Sequence, residues 1–322
     1  MKRIRHSLAR FAMQLLCTLL GLILAAMVCV TAYVQYHIGQ IQMPDTGNLS
    51  VTEFTAELLS GTLSTPQTET KRTNVLLIGQ DAREGEIGSR ADTMILCTYD
   101  SQNQRLFFTS FLRDLYVPIP GYGSNRINAA YAFGGRELLQ KTIEENFQLD
   151  IDGAVEVDFA QFSDIIDLLD GVTISLRADE AALINEETGS DLTEGTHTLN
   201  GQQALAYARI RKLDADGDFS RTNRQRTVIG AILDAYRNAG TGKILKLVYN
   251  LLPMIETDLD AGQLLALAVS AVPNLSQIQI ISQHVPTVGT YQDKTIDGMA
   301  VLVPDLEAVR RSLQASFSNF TQ

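Results

Sequence analysis

The chain has 322 residues, 45% of them hydrophobic, with 26 Lys and Arg against 37 Asp and Glu. That length accommodates one large domain or two small ones around a substantial core. The net charge of -11 argues against nucleic acid as a partner, because duplex binding needs a basic face that neutralises several phosphates.

Residues 1–10 carry Lys2, Arg3, Arg5 and Arg10 and no acid, and residues 11–34 carry no formal charge. As a helix, about 23 such residues extend roughly 35 Å, enough to span a bilayer. The basic flank predicts a cytoplasmic tail (1–10) and a single-pass transmembrane anchor (11–34). The rest of the chain is then expected on the extracellular side of the cell membrane. A cleaved signal peptide would have a shorter apolar region and a small-x-small site. Residues 35–73, rich in Thr and Ser, read as an extracellular stalk, and the folded domain is expected over 74–322.

Within that domain, Asn74–Gly79 is an apolar run of strand length. Thr93–Tyr99 and Arg105–Phe111 are strands joined in a hairpin by Asp100-Ser101-Gln102-Asn103. Val117–Gly121, with two prolines, reads as a loop. A helix opens at Arg126–Tyr131, restarts at Gly134-Gly135 and runs to about Phe147. Val155–Val157 is a short strand, Phe159–Leu169 a helix and Val172–Leu176 a strand. Arg177–Thr198 reads as a polar excursion, followed by a short helix from Asn200. Arg221–Asn238 is an amphipathic helix, with Lys243–Leu252 and Ala261–Val272 as two more. Ile278–Ser282 and Met299–Val303 are late strands, and Pro304–Leu313 a closing helix. Hairpins mixed with helix-connected strands imply a layered α/β domain with a mixed sheet.

The most informative stretch is Ala204–Arg226, where Arg209, Arg211, Lys212, Arg221, Arg224 and Arg226 crowd one short window of an acidic protein. If Arg209–Arg211 is extended, both side chains share a face. Arg221 and Arg224, three apart, share a helix face. Four guanidinium forks aimed at one place suit phosphate oxygens. Each arginine alone is more simply a solvated residue paired with Asp214, Asp216 or Asp218; the cluster favours an anion site. Asp81 and Asp92, bracketed by Arg83 and Arg90, flank the ends of two strands. Two carboxylates facing a phosphate suit Mg²⁺ (or Mn²⁺), which takes one or two protein oxygens plus phosphate. The bland alternative is a pair of turn-capping aspartates.

Other signals fail. Asp214–Asp218 has its Gly two places early for an EF-hand, and Gly240–Lys243 lacks the first Gly of a P-loop. Cys97 stands alone in a strand, and no CxxC pair or zinc ligand set occurs. No GxSxG, HExxH or nucleophile–base pair is present, which speaks against a covalent intermediate.

The ordered segments Ile78–Arg83, Arg90–Met94, Arg113-Asp114, Arg126–Tyr131, Leu199–Leu205, Tyr207–Arg211, Asp218–Arg221 and Arg224-Gln225 resemble those of LytR-CpsA-Psr (LCP) proteins over roughly residues 74–235. Ala91 stands where that family usually has Ser, and Leu112 where it usually has Pro. The resemblance implies an α/β/α sandwich with a central mixed sheet and a long apolar pocket. It implies transfer of a glycopolymer (teichoic acid, capsule or a related polysaccharide) from a polyprenyl-pyrophosphate carrier to a peptidoglycan hydroxyl, leaving a phosphodiester. Asp81 and Asp92 would hold Mg²⁺. Arg83, Arg113, Arg209 and Arg221 would clamp the pyrophosphate, with Arg90, Arg211, Arg224 and Gln225 completing the shell. Asp114 and Asp218 are both candidates for the base. The competing reading is a polyprenyl-phosphate-binding sensor or envelope regulator without turnover.

Overall fold

The computed structural model describes residues 72–80, 91–211, 213–214, 217–237, 250–251, 254–259, 263, 267 and 276–318. The tail, anchor and stalk expected before residue 72, the loop with Asp81, Arg83 and Arg90, and most of the two helices expected over 243–272 lie outside them. Among the described residues no helix is long and apolar enough to cross a membrane.

The centre is a six-stranded mixed sheet in the order β10-β3-β2-β1-β6-β9. Its strands are β1 (Arg72–Gln80), β2 (Ala91–Asp100), β3 (Arg105–Phe111), β6 (Gly153–Asp158), β9 (Glu256–Thr257) and β10 (Gln279–Val285). β2 runs antiparallel to β1 and β3, whereas β6 runs parallel to β1 and β10 parallel to β3. The first strand starts at Arg72, two residues before the expected boundary. Arg72 faces Asp100 across the ladder and its Nε lies 3.2 Å from Asp100 Oδ2.

Alternation along the strands sends side chains to two cores. On one face, Leu76, Ile78, Met94, Leu96 and Phe107 pack against α1 (Asn128–Phe147) and α6 (Leu306–Ser318), through Leu139, Ile143, Val309 and Leu313. On the other, Ile95, Tyr99, Leu106 and Phe108 meet Ile229 and Leu233 of α5 (Asp218–Tyr236). Helices therefore cover both faces of the sheet. Each fully buried Leu, Ile or Phe contributes about 1.5–3 kcal/mol through burial. The helical run of α1 is broken at Gly134 and Gly135, whose backbones are non-helical, where the sequence places a restart.

A third core lies beside the sheet. It joins α2 (Phe159–Leu168), β7 (Val172–Leu176), α3 (Ala178–Thr188), β8 (Gly195–Leu199), α4 (Gly201–Arg209) and α5 through Ile166, Ile174, Ile184, Leu199, Ala204 and Val228. Asp158 and Asn200 each close a capping box, with Gln161 and Gln203, which fixes where α2 and α4 begin. Gly201 is required by close approach: a Cβ there would stand 2.2 Å from the Ser163 carbonyl oxygen. Its N–H donates to Asp167 Oδ1 at 2.7 Å, locking α4 onto α2.

Several elements differ from the sequence reading. Val117–Gly121 is not simply a loop, because β4 (Tyr116–Ile119) pairs with β5 (Gly123–Arg126). Arg126 therefore ends a strand and α1 starts at Asn128. The excursion Arg177–Thr198 folds as α3 and β8. Helix α3 ends at Gly189, which takes the left-handed φ of 69° that favours glycine. A hairpin of β11 (Tyr291–Ile296) and β12 (Met299–Pro304) replaces a lone late strand.

Candidate active site

Because β2 is antiparallel to both neighbours, its first residues lie beside the last residues of β1 and near the end of β3. Gly79 faces Thr93 and Ser110 faces Ile95. Asp92 and Arg113 are therefore delivered to one end of the sheet. Arg113 Nη1 donates to Asp92 Oδ1 at 2.9 Å, and Arg211 Nη2 donates to Asp92 Oδ2 at 3.0 Å. Arg221 comes from the first turn of α5, and its Nη2 donates to the Asp92 carbonyl at 3.1 Å. Three guanidinium groups thus converge on one aspartate. Burial pushes the Asp92 carboxyl up, but the Arg113 hydrogen bond and the charges of Arg113, Arg221 and Arg211 outweigh it and hold it below its ordinary value.

Arg221 is the most constrained of these groups. It is 2% exposed, and its Nη2 stands 2.7 Å from Asp218 Oδ1. Its Nε and Nη1 make no hydrogen bond among the described residues. Burial, with Arg211 and Arg113 nearby and only partly offset by Asp218, brings its pKa down to about 10. Asp218 moves the other way from a normal carboxylate. Burial raises it, against the pull of Arg221 and Arg113. Asp218 Oδ1 also lies 3.6 Å from Arg113 Nε, and Asp114 lies 3.9 Å from Arg113 and 3.3 Å from Arg126.

These arginines open onto a cleft of about 820 Å³ with a mixed wall. Arg113, Arg209, Arg211 and Arg221, with Asp92, Glu186, Glu187, Thr93 and Gln225, form its polar part. Phe159, Leu183, Ala206 and Ile210 form its apolar part, and Gln225 Oε1 is buried without a hydrogen-bond partner among the described residues. A cluster of cations beside an apolar wall suits a ligand with an anionic head and a hydrocarbon body. The Cys97 thiol is pushed up to about 12 by burial, which removes it as a nucleophile.

The candidate residues divide. Asp92, Arg113, Asp114, Arg211, Asp218 and Arg221 come together, while Asp81, Arg83 and Arg90 lie outside the described residues. Arg209 ends a helix rather than a strand. It lines the cleft with its guanidinium 4.9 Å from the Phe159 ring centroid, and its Nη1 lies 3.2 Å from Glu187 Oε1. Arg224 departs from its expected role in the phosphate shell. It does not line this cleft but is buried between Glu180 (2.8 Å), Asp214 and the Ile210 carbonyl. One helical turn from Arg221, it faces a different set of elements and pins α3 to α5.

Sequence reasoning missed Phe159, Leu183 and Glu187 as cleft residues. The signals for α3 were present: Asp179 and Glu180 in a first turn, Ala181 and Ile184 three apart, and Gly189 after the end.

For a divalent ion, the described residues contain no group of three His, Cys, Asp or Glu side chains able to hold one. Asp92 nevertheless fits a site shared with phosphate. Its carboxyl is held ionised, and each oxygen accepts one arginine bond, leaving a second lone pair.

The sequence profile of the LytR_cpsA_psr family matches residues 45–316. The polyisoprenyl-teichoic acid–peptidoglycan teichoic acid transferase TagU of Oceanobacillus iheyensis is 37% identical over 201 residues, 59% of this chain and 60% of that one. The regulatory protein MsrR of Staphylococcus aureus is 40% identical over 158 residues, 48% of this chain and 46% of that one. The chain thus spans about half to three-fifths of the length of the curated relatives it matches. Among solved structures, a LytR-CPS2A-psr family protein, YwtF (TagT), with bound octaprenyl pyrophosphate lipid matches with a TM-score of 0.58 at 28% identity, covering 76% of this chain and 89% of that one. Profile, relatives and fold agree with the ordered motifs and with the mixed sheet that carries them: the chain belongs to the LytR_cpsA_psr family.

Proposed function

We propose that this protein transfers a glycopolymer from a polyprenyl-pyrophosphate carrier to a peptidoglycan hydroxyl and releases polyprenyl phosphate. The observation that carries the reading is the convergence of Arg113, Arg211 and Arg221 on Asp92 at the mouth of a partly apolar cleft. Relatives named as teichoic acid transferases, and a similar fold holding octaprenyl pyrophosphate, support it.

The chemistry follows from the charges. The acceptor hydroxyl oxygen bonds to the phosphorus that bears the glycopolymer, and the bond from that phosphorus to the bridging oxygen breaks. The electron pair leaves on polyprenyl monophosphate, and the hydroxyl proton goes to a carboxylate of the site and then to water. Phosphoryl transfer of this kind depends on positioning and charge neutralisation. Arg113, Arg211 and Arg221 supply both, and Phe159, Leu183 and Ile210 hold the first part of the hydrocarbon chain. Asp92, with Asp81 from the loop beyond β1, would hold a Mg²⁺ ion, which adds positive charge at the phosphates when bound. The apolar run at 11–34 would anchor the chain with this domain outside the cell membrane.

The test uses the full-length chain in detergent with a synthetic polyprenyl-pyrophosphate glycan and peptidoglycan oligomers, with and without Mg²⁺. Polyprenyl monophosphate and a glycan–peptidoglycan phosphodiester should both form, and Arg113→Ala should abolish both. Lipid binding without product would instead support the sensor reading, which the name of the regulatory relative favours.

A further inference from the structure

A second cleft, of about 750 Å³, lies on the far side of the same charged cluster. Asp114, Asp218 and Phe219 border it on one side, and Tyr291, Asp293 and Lys294 of the β11–β12 hairpin on the other. Asp218 separates the two clefts, since Arg221 and Arg113, 2.7 and 3.6 Å from it, line the arginine cleft.

The two clefts have opposite electrostatics. The first sets Arg113, Arg209, Arg211 and Arg221 against Asp92, Glu186 and Glu187, a balance of +1, whereas three aspartates and a single lysine give the second a balance of -2. A pyrophosphate is drawn to the first and repelled from the second. The second also carries an aromatic cluster. The Phe219 ring lies 4.9 Å from His284, edge to face, and 5.9 Å from Tyr291, tilted by 33°. Leu112, Val288, Val301 and Leu302 complete an apolar wall, and flat rings rimmed by Asp114, Asp293 and Lys294 suit the C–H faces and hydroxyls of a sugar.

We propose that the second cleft is the acceptor site, in which Phe219, Tyr291 and Lys294 bind an uncharged stretch of glycan strand and present one of its hydroxyls to Asp114. This rests on the transferase reading and adds where the acceptor lies. Asp114 is the more reachable base: its side chain is 28% exposed, against 16% for Asp218, whose two oxygens are both covered. The hydroxyl proton passes to the Asp114 carboxylate as the oxygen bonds to the phosphorus, the bridging P–O bond breaks towards the arginines, and Asp114 returns the proton to water. Asp218 acts as a positioning residue that holds Arg221 and Arg113 at the partition.

The experiment compares the detergent-solubilised full-length chain with Tyr291→Ala, Lys294→Ala and the conservative Tyr291→Phe. The probe is an N-acetylglucosamine tetrasaccharide, followed by saturation-transfer NMR; KM and kcat are measured in parallel with peptidoglycan oligomers. Tyr291→Ala should weaken tetrasaccharide binding and raise acceptor KM about tenfold, leaving kcat and the affinity for polyprenyl pyrophosphate within about twofold. Lys294→Ala should raise acceptor KM less, and Tyr291→Phe, which keeps the ring, should raise it less than Tyr291→Ala. An unchanged acceptor KM in Tyr291→Ala, equal weakening of donor and acceptor, or no tetrasaccharide binding by the parent chain would overturn the proposal. If the parent binds the tetrasaccharide through Tyr291 but makes no product, the transferase reading fails and the glycan cleft stands.

Discussion

Arg221 and Arg224 sit one turn apart on the same helix, 2% and 4% exposed, and their circumstances are opposite. Arg224 is satisfied by Glu180, Asp214 and a backbone carbonyl. Arg221 shares its surroundings with Arg113 and Arg211, and two of its nitrogens make no hydrogen bond among the described residues. Their aspartates differ in the same sense. The Arg224 hydrogen bond, with Arg177 beyond it, outweighs burial and holds Asp214 below its ordinary value, whereas burial drives Asp218 above it. A buried arginine that has found all its partners is part of the scaffold; one held among like charges is poised for an anion that has yet to arrive.

The sharpest way to break this contrast is to truncate both arginines. Arg224→Ala leaves Glu180 buried without its partner and should cost about 3–5 kcal/mol of stability, measured by denaturant unfolding. Arg221→Ala removes a partner of Asp218 but also relieves the crowding by Arg113 and Arg211, so it should cost less stability than Arg224→Ala. Transfer by that variant should fall roughly 10²–10³-fold, as expected for loss of one donor to developing charge. A collapse of stability in Arg221→Ala, or full activity in a folded Arg224→Ala alongside an active Arg221→Ala, would erase the distinction.

The aspartates sharpen it through pH. Asp214 has a depressed value, so its stabilisation is present above the unfolded pKa of about 3.9 and is lost as pH falls through the folded value. Asp218 has a raised value, so wild type should lose stability relative to Asp218→Asn as pH rises from about 3.9 through the folded value. The groups that set that value are Arg221, Arg113, Asp114 and Arg211. Thermal midpoints of Asp214→Asn and Asp218→Asn against wild type should therefore diverge in opposite directions, for Asp214 below and for Asp218 above the unfolded carboxylate pKa of about 3.9. Parallel curves would mean that the two carboxylates share one environment. Least affected should be Arg209→Ala: its pairing with Glu187 is solvent-exposed and should contribute no more than about 1 kcal/mol to stability.

The sequence carried the sheet well wherever a strand was apolar and bounded by turn residues. Asn74–Gly79, Thr93–Tyr99 and Arg105–Phe111 all pair as their pattern implies, and that pairing alone brings Asp92 to Arg113. Short edge hairpins were less legible. Pro118 sits in β4 and Asp293-Lys294 in β11, because cross-strand partners rather than local preference hold those segments extended. Arginine roles were the least legible of all. Arg224 and Arg221 look alike in the chain, and partners such as Glu180, 44 positions away from Arg224, separate scaffold from site.

The order of the elements has a consequence for how the molecule is made. Every lining residue of the arginine cleft lies before residue 226, whereas His284, Tyr291, Lys294 and Leu302 of the other wall come from the last part of the chain. Synthesis runs from the N-terminus and domains acquire structure as they emerge. The arginine cleft is therefore supplied with all its residues while the second wall is still unmade, and β3 still lacks β10 at its edge. A nascent chain thus holds every residue of the arginine cleft before the second wall exists, and a stop late in translation removes that wall while sparing the arginines.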